Sequence, residues 1–237
     1  MVTRSSHLVA AFAAVSAAAV FASFCPTAHA TVTGLTGAAF SFDAGSTTTP
    51  AGFSGTGALG EAIVPLTNGN GTPPTTAYTL GDGISLLISD ASGFNGTGTN
   101  ATAAAGTIYE NYAFSPGTAT LTFEGLTPNT NYEVAGYDFQ NDTFSIGSSS
   151  ASTNGPGGGF GTTGYTAYTL GTNYVTLMGT SDASGNLAVS VGVGTGQSDL
   201  RVSGIGIASV TTPEPAAAVL LAVGTVGALA LMRRRHA

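Results

Sequence analysis

Between Thr31 and Thr212 no stretch of this chain carries the three-to-four-residue apolar spacing of an amphipathic helix. What it carries instead is alternation. In "TATLTFEGLTPNTNYEVAGYDF", Leu121 and Phe123 alternate with Thr120, Thr122 and Glu124, and Tyr132 and Val134 restart the pattern after Pro128-Asn129. A period of two buries one face of an extended strand, and Pro-Asn supplies a turn. Short runs rich in Val, Ile, Thr, Tyr and Phe recur along the segment, separated by clusters of Gly, Asn, Pro and Ser. That pattern predicts an all-β sandwich or barrel. Strands are expected near 38–42, 62–67, 84–89, 108–114, 118–124, 132–139, 166–170, 174–178, 187–193 and 200–210. Gly204 and Gly206 predict a bulge in the last of these.

The run L-x-F-x-G-L-x-P-x-T-x-Y, ending at Tyr132, resembles the strand, corner and tyrosine of fibronectin type III and related sandwiches. The resemblance implies that the Tyr132 hydroxyl bonds back to the backbone of the corner. Two phrases repeat: "TAYTLG" at 76–81 and 166–171, and "SDASG" at 89–93 and 181–185. Two tandem domains would explain the echo. The corner occurs once, however, and the flanking segments do not match. A single domain over 31–210 is expected, with the length of a jelly-roll-like antiparallel sandwich. "GTSDASGNLAVSVGVG" reads as a late hairpin turning at Asp182–Asn186. Gly- and Thr-rich stretches at 68–76, 95–106 and 147–164 read as surface loops. Asn95, Asn100 and Asn141 begin glycosylation sequons.

Both ends differ from this body. Arg4 precedes an apolar run from Leu8 to Phe24, followed by Ala28-His29-Ala30. That is the build of a secretory signal peptide over residues 1–30, with Ala28 and Ala30 at the cleavage site. Cys25, the one cysteine, would leave with it. Phe24, which is not small, argues against lipid attachment there. At the other end Ala216–Met232 carries no charge, and Arg233, Arg234 and Arg235 follow. A helix of that length spans about 26 Å, at the short end for a bilayer core. The positive-inside rule keeps the arginines cytoplasmic, which places the body outside the inner membrane.

Pro213-Glu214-Pro215, a short Ala-, Leu- and Gly-rich helix and a terminal arginine cluster resemble the PEP-CTERM sorting signal. The resemblance covers only residues 211–237. It implies export in a Gram-negative bacterium, recognition of Pro213, Glu214 and Pro215 by an exosortase, and cleavage near that motif. The arginines then act as the stop-transfer element, and the inner membrane holds the precursor transiently. It also implies a final place at the cell surface or in an extracellular matrix, where polysaccharide is the expected partner.

Composition narrows the chemistry. Charged residues make up 7% of the chain. Lysine is absent, and Arg201 is the one base between Thr31 and Thr212, against eleven acids. A nucleic-acid partner needs basic groups, so none is expected. His7, His29 and His236 all lie in the end segments. The body therefore has no His, Cys or Lys, which removes triad and thiol catalysis, Schiff-base chemistry and the usual zinc sites. A carboxylate-only glycoside hydrolase survives on paper through Glu110, Glu124, Glu133 and Asp138. A carbohydrate-binding module would need an aromatic platform, for which Tyr109, Tyr112, Tyr137 and Phe139 are the candidates. The metal that fits such a donor set is calcium, which takes oxygen ligands. Asp138, Asn141 and Asp142 lie within five residues, and Asp82 and Asp90 bracket another strand. No other cofactor is expected. The reading is thus a non-enzymatic, exported structural, adhesive or polysaccharide-associated protein.

Overall fold

The computed structural model describes residues 31–42, 55–68, 75–96, 107–109, 111–155 and 167–211. The signal peptide with Ala28 and Ala30, Glu110, Asn100, the Pro213-Glu214-Pro215 motif, the apolar tail and Arg233–Arg235 lie outside them. Fourteen strands run in chain order: β1 (Thr31–Phe42), β2 (Gly55–Thr56), β3 (Ala62–Asn68), β4 (Tyr78–Gly81), β5 (Ile84–Ser89), β6 (Gly93–Gly96), β7 (Asn111–Ser115), β8 (Ala119–Glu124), β9 (Asn131–Asp138), β10 (Thr143–Ile146), β11 (Ser149–Ser152), β12 (Tyr174–Thr180), β13 (Leu187–Gly192) and β14 (Leu200–Thr211). One 3-10 turn, Thr107–Tyr109, is the only helical element among the described residues.

The strands form two sheets. The 8-stranded sheet runs β12-β9-β14-β1-β3-β2, with β7 on β14 and β6 on β7. The 6-stranded sheet runs β11-β10-β13-β8-β5-β4. In β8 and β13 every second side chain is buried. The inward residues Leu121, Phe123, Val189 and Val191 share one core with Phe40, Val134, Val202, Ile205 and Ile207 of the larger sheet. Thr36 in β1 also links the sheets, donating its hydroxyl to the Leu80 carbonyl at 3.2 Å. The antiparallel expectation needs one correction, because β1 and β3 pair in parallel, Thr36 opposite Ala62 through Phe42 opposite Asn68. The chain leaves β1 and returns to the same sheet in the same direction, which a hairpin cannot do.

The corner forms as the resemblance implied. The Thr127 N–H donates to the Tyr132 hydroxyl at 3.0 Å. The bulge also forms, as a register shift in the β9–β14 ladder between Val202 and Gly204. The expected hairpin at Asp182–Asn186 does not. The turn is there, with Gly185 at φ +81 and Asp182 Oδ1 accepting from the N–H groups of Ser184 and Asn186 at 2.8 Å each. But β12 before it pairs with β9, and β13 after it pairs with β8 and β10. The turn therefore carries the chain from one sheet to the other. It docks on the tyrosine corner through Leu126 N–H to Gly185 O at 3.0 Å and Asn129 N–H to Asp182 O at 3.2 Å.

Five short strands, β2, β4, β6, β10 and β11, lay outside the sequence expectation. β11 falls within the stretch read as a loop at 147–164. The strand expected at 166–170 is absent among its described residues, which make only one bridge, Leu170 to Tyr174. The two copies of the repeated phrases thus adopt different structures. "TAYTLG" contains β4 in its first occurrence, and the described residues of its second, 167–171, belong to no strand.

Candidate functional site

Three features of the body could carry function: a sealed acid–tyrosine centre, a buried acidic turn, and a hydroxyl-bearing outer face with a groove beside it.

The first sits on the outer side of the larger sheet. Ala39, Ile63, Ala135 and Tyr137 point away from the main core and form a second one with Ile108 and Tyr109. Glu61 is buried there at 0% exposure, although nothing around it in the sequence distinguishes it from a solvated carboxylate. Its Oε2 accepts from the Leu59 N–H at 2.8 Å and its Oε1 from the Tyr137 hydroxyl. The Ala58 N–H in turn donates to that hydroxyl at 2.6 Å. Gly57 and Gly206 make the room, since a methyl group at either would collide with the Glu61 carboxyl. Burial raises the Glu61 pKa, and the Tyr137 and backbone hydrogen bonds offset part of the shift. Burial and the adjacent Glu61 charge push the Tyr137 phenol far above its ordinary value. Tyr168 and Tyr174 close the centre from outside, with ring centroids 5.4 Å and 6.1 Å from that of Tyr137. Every donor and acceptor shown here has a partner, so the arrangement is a structural hub.

The aromatic platform expected on Tyr109, Tyr112 and Tyr137 is corrected by the same packing. All three are buried, and Phe139 is half-buried. The Tyr109 hydroxyl is spent on the Asn173 carbonyl at 2.9 Å. The Tyr112 ring lies under the Arg201 guanidinium, 5.5 Å from its centroid. These rings fill the cores rather than offer a sugar a flat face.

The second feature is the turn after β9. Asp138 and Asp142 are both buried at 0% exposure. Asp138 Oδ2 accepts from the Asp142 N–H at 3.1 Å and the Thr153 hydroxyl at 2.9 Å. Asp142 accepts from the Gly194 N–H at 3.2 Å and the Arg201 N–H at 2.6 Å. Burial, then repulsion from Asp142, pushes Asp138 up to about 7. Burial likewise pushes Asp142 up to about 6, offset in part by its backbone donors. Asn141 donates its Nδ2 to the Thr195 carbonyl at 3.2 Å, so its sequon nitrogen is already engaged. The sequence cluster Asp138, Asn141 and Asp142 is therefore brought together, and Gln140 joins it. Asp82 and Asp90 are turn residues with φ of 52° and 62°.

The described carboxylates proposed for hydrolysis, Glu124, Glu133 and Asp138, do not converge. Glu124 lies on the outer face of β8, near the Ser85 hydroxyl at 3.3 Å. Glu133 lies on the outer face of β9, opposite Met178 and Ala208, on the other sheet. Asp138 is sealed inside. Among the described residues of that set, no two face a common cleft.

The third feature is the outer face of the 6-stranded sheet. Strand register aligns Ser89 with Thr120, Thr120 with Ser190, Ser190 with Ser145, and Ser145 with Ser150. Directly opposed residues share a face. Five hydroxyls therefore form one row across five adjacent strands, spaced by the roughly 4.8 Å between strands. Beside this row, Thr122 and Ala188 form one wall of an open groove of about 820 Å³. Asn131, Asp182 and Asn186 supply its polar groups, and Ile146 and Met178 its apolar surface. Met178 is 51% exposed.

No family model and no curated protein matches the chain. Among solved structures it is similar to the plant receptor-like kinase FER, at 11% identity and a TM-score of 0.40, over 73% of this chain and 41% of that one. It is also similar to the ANX2 ectodomain of Arabidopsis thaliana, at 12% identity and a TM-score of 0.39, over 78% and 54%. The chain thus spans about half, or less, of the solved chains it matches.

Proposed function

We propose that this chain is an exported surface or matrix protein whose β body, a jelly-roll-like sandwich with one parallel strand pair, associates with extracellular polysaccharide. The tail is a disposable address: an exosortase recognises Pro213-Glu214-Pro215 and removes the apolar segment and its arginines. The observation that carries the role is the hydroxyl row Ser89–Thr120–Ser190–Ser145–Ser150. A row of aligned neutral hydroxyls donates and accepts equally, as a polysaccharide does. It needs no aromatic platform and no fixed charge. The acids described are sequestered in hydrogen-bonded hubs, set in turns or spread over opposite sheets, which supports a role in binding or structure rather than in catalysis.

The address and the face are tested separately. With Pro213, Glu214 and Pro215 replaced by alanine, the protein should stay in the inner-membrane fraction at its unprocessed mass. Release at the wild-type processed mass sinks the sorting reading. Sedimentation with the producing strain's own exopolysaccharide should fall at least tenfold for Thr120→Val with Ser190→Ala, a pair that removes two central hydroxyls and adds no bulk. A second reading, a carbohydrate-binding module that takes one chain end, rests on the groove. There Asn131, Asn186 and Met178 would do the binding, and Asn186→Ala rather than the hydroxyl pair would abolish it.

A further inference from the structure

The five residues Asp138–Asp142 hold buried lone pairs that no hydrogen bond satisfies. Three buried acceptor oxygens in this one turn have no hydrogen-bond partner: Asp138 Oδ1, Gln140 Oε1 and Asn141 Oδ1. Asp138 is itself 0% exposed and Gln140 3%. The bond from Asp142 N–H to Asp138 Oδ2 folds the turn back on itself, so both carboxylates belong to one tight loop. Asn141 Oδ1 lies beside Gly194, whose N–H donates to Asp142 Oδ1. The nearby base lowers the cost of Asp142 but reaches none of the three orphaned oxygens with a hydrogen bond. Arg201 offers Asp142 its backbone N–H, while its guanidinium pairs with Asp199 at 3.0 Å.

We propose that this turn is a site for one hard divalent cation, best calcium, held by Asp138 Oδ1, Gln140 Oε1 and Asn141 Oδ1, with Asp142 supplying the second negative charge. An unpaired buried acceptor is costly, and three in one turn are exceptional. A proton would satisfy one of them. Calcium accepts six to eight oxygens in flexible geometry, so it can take all three and leave room for carbonyls or water. Amide and carboxylate oxygens, with no nitrogen or sulfur, disfavour zinc. Magnesium asks for a stricter octahedron than one loop with fixed backbone bonds offers. The loop also ties together β9, the segment at Thr153–Gly155 and the start of β14, through Thr153, Gly155 and Arg201. A bound ion would therefore brace three separate pieces of chain. The site does not depend on the polysaccharide reading, and either can fail without the other.

The test uses the purified full-length chain stripped with EDTA. Thermal unfolding and titration calorimetry are run with calcium, and with magnesium at equal ionic strength. Extracellular sites bind calcium at about 10⁻⁴–10⁻³ M. Calcium at 10 mM should then raise Tm by about 3–10 °C, with one ion per chain and a smaller effect of magnesium. Gln140→Met is the sharper variant. It removes an orphaned oxygen at nearly constant volume, so in EDTA it should be no less stable than wild type, yet lose at least tenfold in calcium affinity. Asp138→Asn should lose the calcium response as well. If it does not fold, Gln140→Met decides alone. No calcium shift in the wild type, equal shifts with both ions, or unchanged affinity in Gln140→Met would each overturn the proposal.

Discussion

Glu61 is the residue on which the outer side of the larger sheet turns. Its two oxygens serve two donors, Leu59 N–H and Tyr137 O–H, at a fully buried position. Glu61→Gln keeps the shape and converts one oxygen to a donor, which then faces another donor. We expect a loss of about 2–3 kcal/mol, the cost of a buried polar group left unsatisfied. Glu133→Gln, on the half-buried outer face of β9, should stay within about 0.5 kcal/mol. Urea unfolding midpoints for the two variants make the comparison, and similar losses would refute the hub. Nothing in the local sequence separates these two glutamates. What separates them is the pair of glycines, Gly57 and Gly206, which lie far apart in the chain and leave the space that Glu61 fills.

At the scale of elements, the joint between the two sheets depends on the tyrosine corner and the Asp182–Asn186 turn that docks on it. Tyr132→Phe removes one hydroxyl and leaves the Thr127 N–H without its acceptor. A loss of about 1–2 kcal/mol in urea unfolding is expected, with the m-value unchanged because the same surface is exposed. An unaltered midpoint would mean that the corner is held by its other bonds alone. The corner was legible because its pattern is local, with alternation, a Pro-Asn turn and a tyrosine within a dozen residues. The bulge in β14 was legible for the same reason, from Gly204 and Gly206. Pairing was not legible. β12 and β13 look like a hairpin because a Gly turn joins them, yet strands on either side of one turn can feed two sheets. The short strands β2, β6, β10 and β11 are too brief to show a period. β4 does carry a local signal. Asp82-Gly83, both at positive φ, is a two-residue turn of the kind that closes hairpins, and it joins β4 to β5. In the candidate site, the cluster Asp138, Asn141 and Asp142 could be read from spacing. Its burial, and the part played by Gln140, could not. The hydroxyl row needs five strands in register and had no sequence signature.

For the whole molecule, the buried acids set an unusual pH dependence. Glu61, Asp138 and Asp142 all have pKa values raised by burial in the folded state, to about 7 for Asp138 and about 6 for Asp142. In the unfolded chain they titrate near 4. Between those limits the folded protein holds protons that the unfolded chain has released, so stability must fall as pH rises through the window. Asp182, lowered by the N–H groups of its turn, acts in the opposite sense, and only as pH falls below about 4. In EDTA the protein should therefore be most stable near pH 4–5 and lose on the order of a few kcal/mol by pH 8. Most globular proteins are instead most stable somewhere between about pH 5 and 8. Calorimetric scans at half-unit intervals of pH give the curve directly. With Asp138→Asn the pair keeps one ionisable carboxyl, the mutual repulsion is gone, and the slope between pH 5 and 7 should roughly halve. A wild-type curve that is flat, or that rises over this range, would show that the two aspartates are charged without penalty in the folded state. The burial argument for the turn would then be wrong. A falling curve places Glu61, Asp138 and Asp142 in the interior of the body, away from the hydroxyl row on the 6-stranded sheet.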